Sequence, residues 1–276
     1  MQIRITTLSE NTANYGYLAE WGLSILVEVD GLPVLLDTGY SHSAVHNAHL
    51  MGIDLSHIRH VVISHGHADH TGGLREVLRM ARNAEVIGHP DMWSAKYVKR
   101  DDDILHYAGI PFLRAELESL GARFTLSKGP HYITSKIFTT GEIPMVMPYE
   151  QIEDNLFVKE GNTVKPDSLA DDLALAIDTE YGLVVVLGCA HRGMINTLRH
   201  IQKLSGRQTV YAVIGGTHLF RASPERVRQT MEGLRQMGIK KLGVSHCTGF
   251  AASALLAEEY PGVFFQNNAV TQITLP

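Results

Sequence analysis

With 276 residues, 45% of them hydrophobic and 19% charged, the chain can bury a full core and is neither disordered nor fibrous. Its formal charge of −5, with no block of like charge beyond Asp101-Asp102-Asp103, argues against nucleic acid as the main partner. Two cysteines, Cys189 and Cys247, are too few for a disulfide scaffold.

The opening MQIRITTLSE alternates and lacks a basic start followed by an apolar run. No stretch approaches the roughly 18 apolar residues of a membrane span. The expectation is a soluble protein that stays in the cytoplasm. Residues 23–36, LSILVEVDGLPVLL, read as two strands joined at Asp30-Gly31, a strong hairpin signal. The second strand runs into Asp37-Thr38-Gly39, where it breaks into a loop. A helix follows over 41–51, then a buried strand over 58–63. From Gly72, GGLREVLRMARNA has apolar residues at helical spacing, so a helix begins there.

Strand-like and helical pieces alternate less regularly from 85 to 165, with ELESLG closing one helix at Gly121 and polar connections near 127–135 and 159–168. The pattern sharpens from Asp172. LALAIDTEYGLVVVLG is a hairpin whose second strand ends in Gly188-Cys189-Ala190-His191. GMINTLRHIQKLSG makes a helix, and TVYAVIGGTHL a strand ending at His218. Pro224 opens a helix over 224–238. KKLGVSHC is a strand ending at His246, ASALLAEEY a helix, and a terminal strand spans 263–275. The layout is two strand-rich halves with helices outside. Strands ending at Ile63, Leu187 and Val244 are followed by histidines, and sites in layered α/β folds gather at such ends.

Between the strand at 58–63 and the next helix lies ISHGHADHTGGL, which sets His65, His67, Asp69 and His70 within six residues. His65 and His67 alternate across a glycine, so both rings can swing onto one ion. Asp69 and His70 follow at a helix start and point at a second position. Imidazole nitrogens mixed with carboxylate oxygen suit zinc, iron or manganese, and two ions about 3.5–4 Å apart can activate water and polarise a substrate oxygen. Gly72 and Gly73 leave the helix start free to approach. A histidine-rich surface is the bland alternative. It suits His42, His46, His49, His57, His60, His89, His106, His131 and His200, which have no such setting, but not a run of this spacing between strand and helix.

His65-Gly66-His67-Ala68-Asp69-His70 resembles the His-x-His-x-Asp-His signature of the metallo-β-lactamase superfamily, whose fold is a four-layer αββα sandwich. The resemblance extends over nearly the whole chain, from the hairpin ending in Asp37-Thr38-Gly39 to the late strand-end histidines. HADHTGGL, GCAHRGMINTL, IGGTHLF and SHCTGF together resemble the branch named for 7,8-dihydropterin-6-methyl-4-(β-D-ribofuranosyl)aminobenzene-5′-phosphate synthase. The resemblance implies one domain over 1–276, with 90–165 as an insertion that caps the site and selects the substrate. It implies one or two divalent transition-metal ions, zinc first, with manganese or iron as alternatives. His65 and His67 match ligands of the first metal, with His191 as the third. Asp69, His70 and His246 match those of the second.

Where many relatives carry a bridging aspartate, this chain has Cys189, so the bridge is a thiolate, a water or nothing, and Asp171 or Asp172 is a competing carboxylate. Asp37 reads as the partner that orients a ligand imidazole. His218 follows Gly215-Gly216-Thr217, whose open N–H groups suit an oxyanion or phosphate, and joins Asp69 as a catalytic residue. Both cysteines as plain packing residues remain an equal alternative.

Three functions compete. The first is a metal-dependent enzyme on a small phosphorylated or heterocyclic metabolite, attacking a phosphoester, diphosphate or lactone with Asp69 positioning the water. The second is a nuclease of the same fold, which would need a basic surface. The third is a non-catalytic metal or ligand sensor, which would be expected to have lost ligands. Association into oligomers is left open.

Overall fold

The computed structural model describes residues 1–276. Ile3–Ser9, Ser24–Val29, Leu32–Leu36, His60–Val62, Glu85–Gly88, Arg123–Leu126 and Gln272–Leu275 form a seven-stranded sheet with Gln272–Leu275 on one edge and Arg123–Leu126 on the other. It is antiparallel up to Leu32–Leu36 and parallel beyond. A six-stranded sheet orders Lys241–Ser245, Val210–Gly216, Gly182–Leu187, Ala174–Thr179, Ile137–Thr139 and His131–Tyr132. A smaller four-stranded antiparallel sheet orders Thr163–Pro166, Leu156–Glu160, Ala95–Lys99 and Leu105–Tyr107. The stretch 90–165 is therefore shared among all three sheets.

Strand periodicity explains the layering. Side chains alternate across a sheet, and in the Ala174–Leu187 hairpin both faces are apolar. Leu175, Ile177, Val184 and Val186 point into a core shared with Ile5, Ile25, Val27 and Leu36 of the other sheet. Ala176, Leu183 and Val185 point the opposite way, against Ile195, Leu198, Val227, Leu234 and Leu256. Those residues belong to the helices Met194–Ser205, Pro224–Met237 and Phe250–Glu259. The outer face of the seven-stranded sheet is covered in the same way, by Ala44 and Ala48 of Ser43–Leu50, Leu74, Val77 and Leu78 of Leu74–Met80, and Leu117 of Arg114–Ser119. Three cores between four layers make an αββα sandwich. No helix is long and apolar enough to cross a membrane.

Turn chemistry holds where it is readable. Asp30 and Gly31 both have positive φ and pair Val29 directly with Leu32, the two-residue turn that matches strand twist. Ser223 caps its helix by accepting the Arg226 N–H, and Gly238 ends it in the left-handed region. The expected terminal strand is divided. Phe264 bridges to Leu242 on the six-stranded sheet, whereas Gln272–Leu275 pairs with Ile3–Thr6 on the seven-stranded one. Between them the Thr271 N–H bonds back to the Asn268 carbonyl and Val270 has positive φ, so the chain turns from one sheet to the other.

Candidate metal centre

Five loops converge where the strands of both large sheets end. At these ends Asp37, Ala190, His218 and His246 all take positive φ, a conformation costly for non-glycine residues and concentrated at functional sites. Close backbone approach completes the junction. A Cβ on Gly66 would fall 2.1 Å from the Met92 carbonyl oxygen, and one on Gly188 would fall 2.0 Å from Ser64 Oγ.

His65, His67, His70, His191 and His246 are all buried here. The His65 ring lies 4.6 Å from His67, 4.2 Å from His70 and 4.8 Å from His191, centre to centre, and His70 lies 5.0 Å from His246. Ligand atoms of His65, Cys189 and His191 fall within 4.8 Å of one another, and so do those of His70, Cys189 and His246. Cys189 is common to both groups and stands between them, with Sγ 3.1 Å from His70 Nε2. Asp69 Oδ2 sits 3.3 Å from His246 Nε2 and 3.8 Å from His70 Nε2, and accepts from Trp21 Nε1–H at 3.0 Å. His67 packs edge-on to His65 and His191 but enters neither donor group.

Hydrogen bonds on the far sides of the rings set their tautomers. Asp37 accepts from the Ser64 N–H and hydroxyl at 2.8 and 2.7 Å, and from His70 Nδ1–H at 2.7 Å. The Ser64 hydrogen is thus committed, so Ser64 Oγ accepts from His65 Nδ1–H at 2.9 Å. Asn11 Oδ1 accepts from His246 Nδ1–H at 2.9 Å. In its neutral form each of these rings is left with an Nε2 lone pair aimed inward. His65 Nε2 and His191 Nε2 face each other at 3.3 Å, and His246 Nε2 is buried without a hydrogen-bond partner. Five imidazoles buried together with a thiol and beside a carboxylate, the His246 Nε2 among them unpartnered, are a donor set that fits divalent metal ions.

Electrostatics agree with the geometry. Burial first, and neighbouring imidazoles after it, hold His65 and His67 well below the ordinary histidine range, and bring His191 to about 3. Neutral imidazole is the ligand form. His70 departs from this pattern, because burial opposes its charge but Asp37 and Asp69 outweigh it and lift the ring to about 9, so a metal ion would have to displace its Nε2 proton. Burial would raise Asp69, yet His70 and His246 hold it far below the usual carboxylate range.

Of the competing carboxylates, Asp171 has both oxygens occupied, whereas Asp172 keeps a buried Oδ1 without a partner. Asp171 Oδ2 accepts from the Gly66 N–H at 2.8 Å and its Oδ1 from Lys96 Nζ at 2.9 Å. Asp172 Oδ2 accepts from the Arg192 N–H at 2.8 Å, and burial pushes its carboxyl up to about 7. One expectation changes. The Gly216 N–H is not open to a ligand, because it donates to the Gly188 carbonyl at 2.9 Å, as one more link between neighbouring strands. Ala190 turns left-handed between Cys189 and His191.

A cavity of about 250 Å³ opens above these donors. His67, Asp69, Cys189, His191, His218 and His246 form its floor. Its walls include Trp21, Tyr40 and Phe220, two guanidinium-bearing residues, Arg100 and Arg221, and Val98, Tyr107 and Leu156 from the four-stranded sheet. His218 is oriented by Glu153, whose Oε1 accepts from Nδ1–H at 2.5 Å, and Glu153 Oε2 lies 3.7 Å from His191 Nδ1.

The family follows from comparison with known proteins. The metallo-beta-lactamase superfamily profile matches residues 22–189. The chain belongs to that superfamily. A 7,8-dihydropterin-6-methyl-4-(beta-D-ribofuranosyl)-aminobenzene-5'-phosphate synthase of Methanocaldococcus jannaschii is 35% identical over 94% of this chain and 92% of its own length. Among solved structures, a metal-dependent hydrolase of the beta-lactamase superfamily is 28% identical, with a TM-score of 0.85 over 98% of both chains. A diphosphatase of the PhnP family, 13% identical, superposes with a TM-score of 0.57 over 100% of this chain and 98% of its own, and shows the fold alone. Divalent metal ions are what a metallo-β-lactamase fold implies, and the donor groups around Cys189 could hold them.

Sequence reading of this superfamily member missed Glu153, Trp21 and Lys96. Glu153 lies in a polar loop with no periodic signal. Trp21 precedes a hairpin as an isolated aromatic, and Lys96 reads as an ordinary strand lysine. Only the packed structure gives them neighbours.

Proposed function

We propose that this protein is a metal-dependent enzyme acting on a small phosphorylated or pterin-like metabolite. The observation that carries the reading is the 3.3 Å separation of His65 Nε2 and His191 Nε2, whose Nδ1 atoms face Ser64 and Glu153. His65, His67 and His191 would hold one ion, and Asp69, His70 and His246 a second, with the Cys189 sulfur in reach of both groups. Zinc suits this mixture of nitrogen, oxygen and sulfur best, with manganese or iron as alternatives. The chemistry such ions supply is Lewis acidity toward a substrate oxygen and a water.

The remaining steps belong to the chain's own residues. Asp69, held through Oδ2 by Trp21, orients the attacking group. His218 keeps Nδ1 on Glu153 and presents Nε2 to the cavity. Burial opposes its charge, but Glu153 raises its pKa, so it can hold a proton for a leaving oxygen. Arg100 and Arg221 match a phosphate, while Trp21, Tyr40, Tyr107 and Phe220 offer faces to a planar ring. The four-stranded sheet caps the site and sorts substrates. The M. jannaschii relative, named for a dihydropterin joined to a ribofuranosyl-aminobenzene phosphate, supports this substrate class.

A hydrolase of phosphoesters or lactones is the second reading, favoured by the His218–Glu153 pair as a ready proton donor. Both are tested by loading metal-free protein with zinc, manganese or iron. The loaded protein is then assayed against pairs of a dihydropterin carrying a phosphate or diphosphate leaving group with an aminobenzene-riboside phosphate, and against a phosphoester and lactone panel. Coupling of a pair supports the first reading and hydrolysis alone the second. Inactivity on every compound overturns both.

A further inference from the structure

Lys96 lies mid-strand in the four-stranded sheet with 1% of its side chain exposed. A buried ammonium costs several kcal/mol unless it is paired. Here Nζ donates to Asp167 Oδ2 at 2.8 Å and to Asp171 Oδ1 at 2.9 Å. Asp167 and Asp171 belong to one loop, closed on itself by the Leu169 N–H on Asp167 Oδ1.

That loop grips the ligand run. Asp171 accepts the Gly66 N–H at 2.8 Å, between His65 and His67, and the Leu173 N–H donates to the Ser64 carbonyl at 2.9 Å. On the other side of His67 the Ala68 N–H donates to the Ala108 carbonyl at 2.8 Å, and the Ala108 N–H returns to the Lys96 carbonyl at 2.9 Å. Both backbone amides flanking His67 are therefore anchored, directly or through Asp171, to the strand that carries Lys96. His67 also has no hydrogen bond of its own to fix the ring, unlike His65, His70 and His246.

We propose that Lys96 is a positioning residue for the metal site, setting the His67 ring through Asp171 and the Gly66 amide. The four-stranded sheet and the metal ligands thereby move as one unit. The inference rests on the reading of His67 as a ligand. It gives Asp171 a function distinct from ligation, and it makes metal affinity sensitive to a side chain that touches no ligand atom.

The test is titration of metal-free protein with cobalt(II) alone, read by its visible spectrum, with thermal unfolding of the metal-free forms alongside. Lys96→Met is expected to weaken cobalt binding at least tenfold and to shift the spectrum, with Lys96→Arg recovering part of both. Asp171→Asn keeps an acceptor for the Gly66 N–H and is expected to bind cobalt more tightly than Asp171→Ala. If Lys96→Met does not fold, the Asp171 pair decides. Wild-type affinity and spectrum in a folded Lys96→Met, or equal loss in Asp171→Asn and Asp171→Ala, overturns the inference. Absence of cobalt binding by the wild type would instead overturn the metal reading itself.

Discussion

Glu153 Oε1 lies 2.5 Å from His218 Nδ1, and the other oxygen of the same carboxylate lies 3.7 Å from His191 Nδ1. One acid thus orients a ring over the substrate cavity and stands beside a ring among the metal donors. If His218 supplies a proton to the leaving group, its value depends on what leaves. His218→Ala should slow an alkyl phosphoester by about 10²–10⁴-fold, the usual worth of general acid catalysis. A p-nitrophenyl ester, which needs no proton, should slow far less. Metal content should not change. Equal losses on both esters would remove His218 from the proton-transfer role.

Clustered, buried donor groups imply tenacious binding. Protein purified without added metal should carry one to two transition-metal ions per chain by elemental analysis. A value near zero, with no uptake of zinc, manganese or iron, would sink the metal assignment. Asp69→Ala should remove most turnover. Unchanged turnover would place the chemistry elsewhere.

His191 and Cys189 should behave differently on replacement. His191→Ala deletes a donor that faces His65 Nε2 and should lower metal content and activity sharply. Cys189→Ser keeps a small donor in the shared position and should cost less, while moving preference away from soft metals. Parallel metal analysis and activity of the two variants decides. A full metal complement in His191→Ala would show that this imidazole is not a ligand.

Asp37 supports the site from behind. It takes hydrogen bonds from the Ser64 amide, the Ser64 hydroxyl and His70, so Asp37→Ala frees two ligand rings at once. Loss of such an outer partner typically costs about 10–100-fold in metal affinity. Asp37→Asn, which preserves the shape and tolerates the positive φ of the site, should be milder. Competition against a chelator gives both numbers. Wild-type affinity in Asp37→Ala would contradict the orienting role.

What was legible in the sequence follows from how local each signal is. The Asp30-Gly31 turn, the helix begun by Ser223 and Pro224, and the doubly buried hairpin at 174–187 are written in adjacent residues, and the structure shows each. The ligand run announces itself because its spacing is short. The four-stranded sheet does not, because Val164 and Lys165 are exposed and Lys96 is buried, an inversion of ordinary strand polarity that makes sense only beside Asp167 and Asp171. Glu153 is illegible for the same reason. Its partners lie 38 and 65 positions away, at His191 and His218, and nothing in the intervening residues links them.

The pairing of Gln272–Leu275 with Ile3–Thr6 bears on how the chain is made. During synthesis the strand at Ile3–Ser9 can join Ser24–Val29 early, since only a loop separates them. Its other side stays an open edge of unpaired amides and carbonyls until residues near 275 emerge, and such edges invite pairing with other chains. The closing contact spans nearly the entire sequence, and contacts that distant form slowly. Until Gln272–Leu275 emerge, the strand at Ile3–Ser9 therefore stays adhesive on that side, and its sealing waits on residues far along the chain.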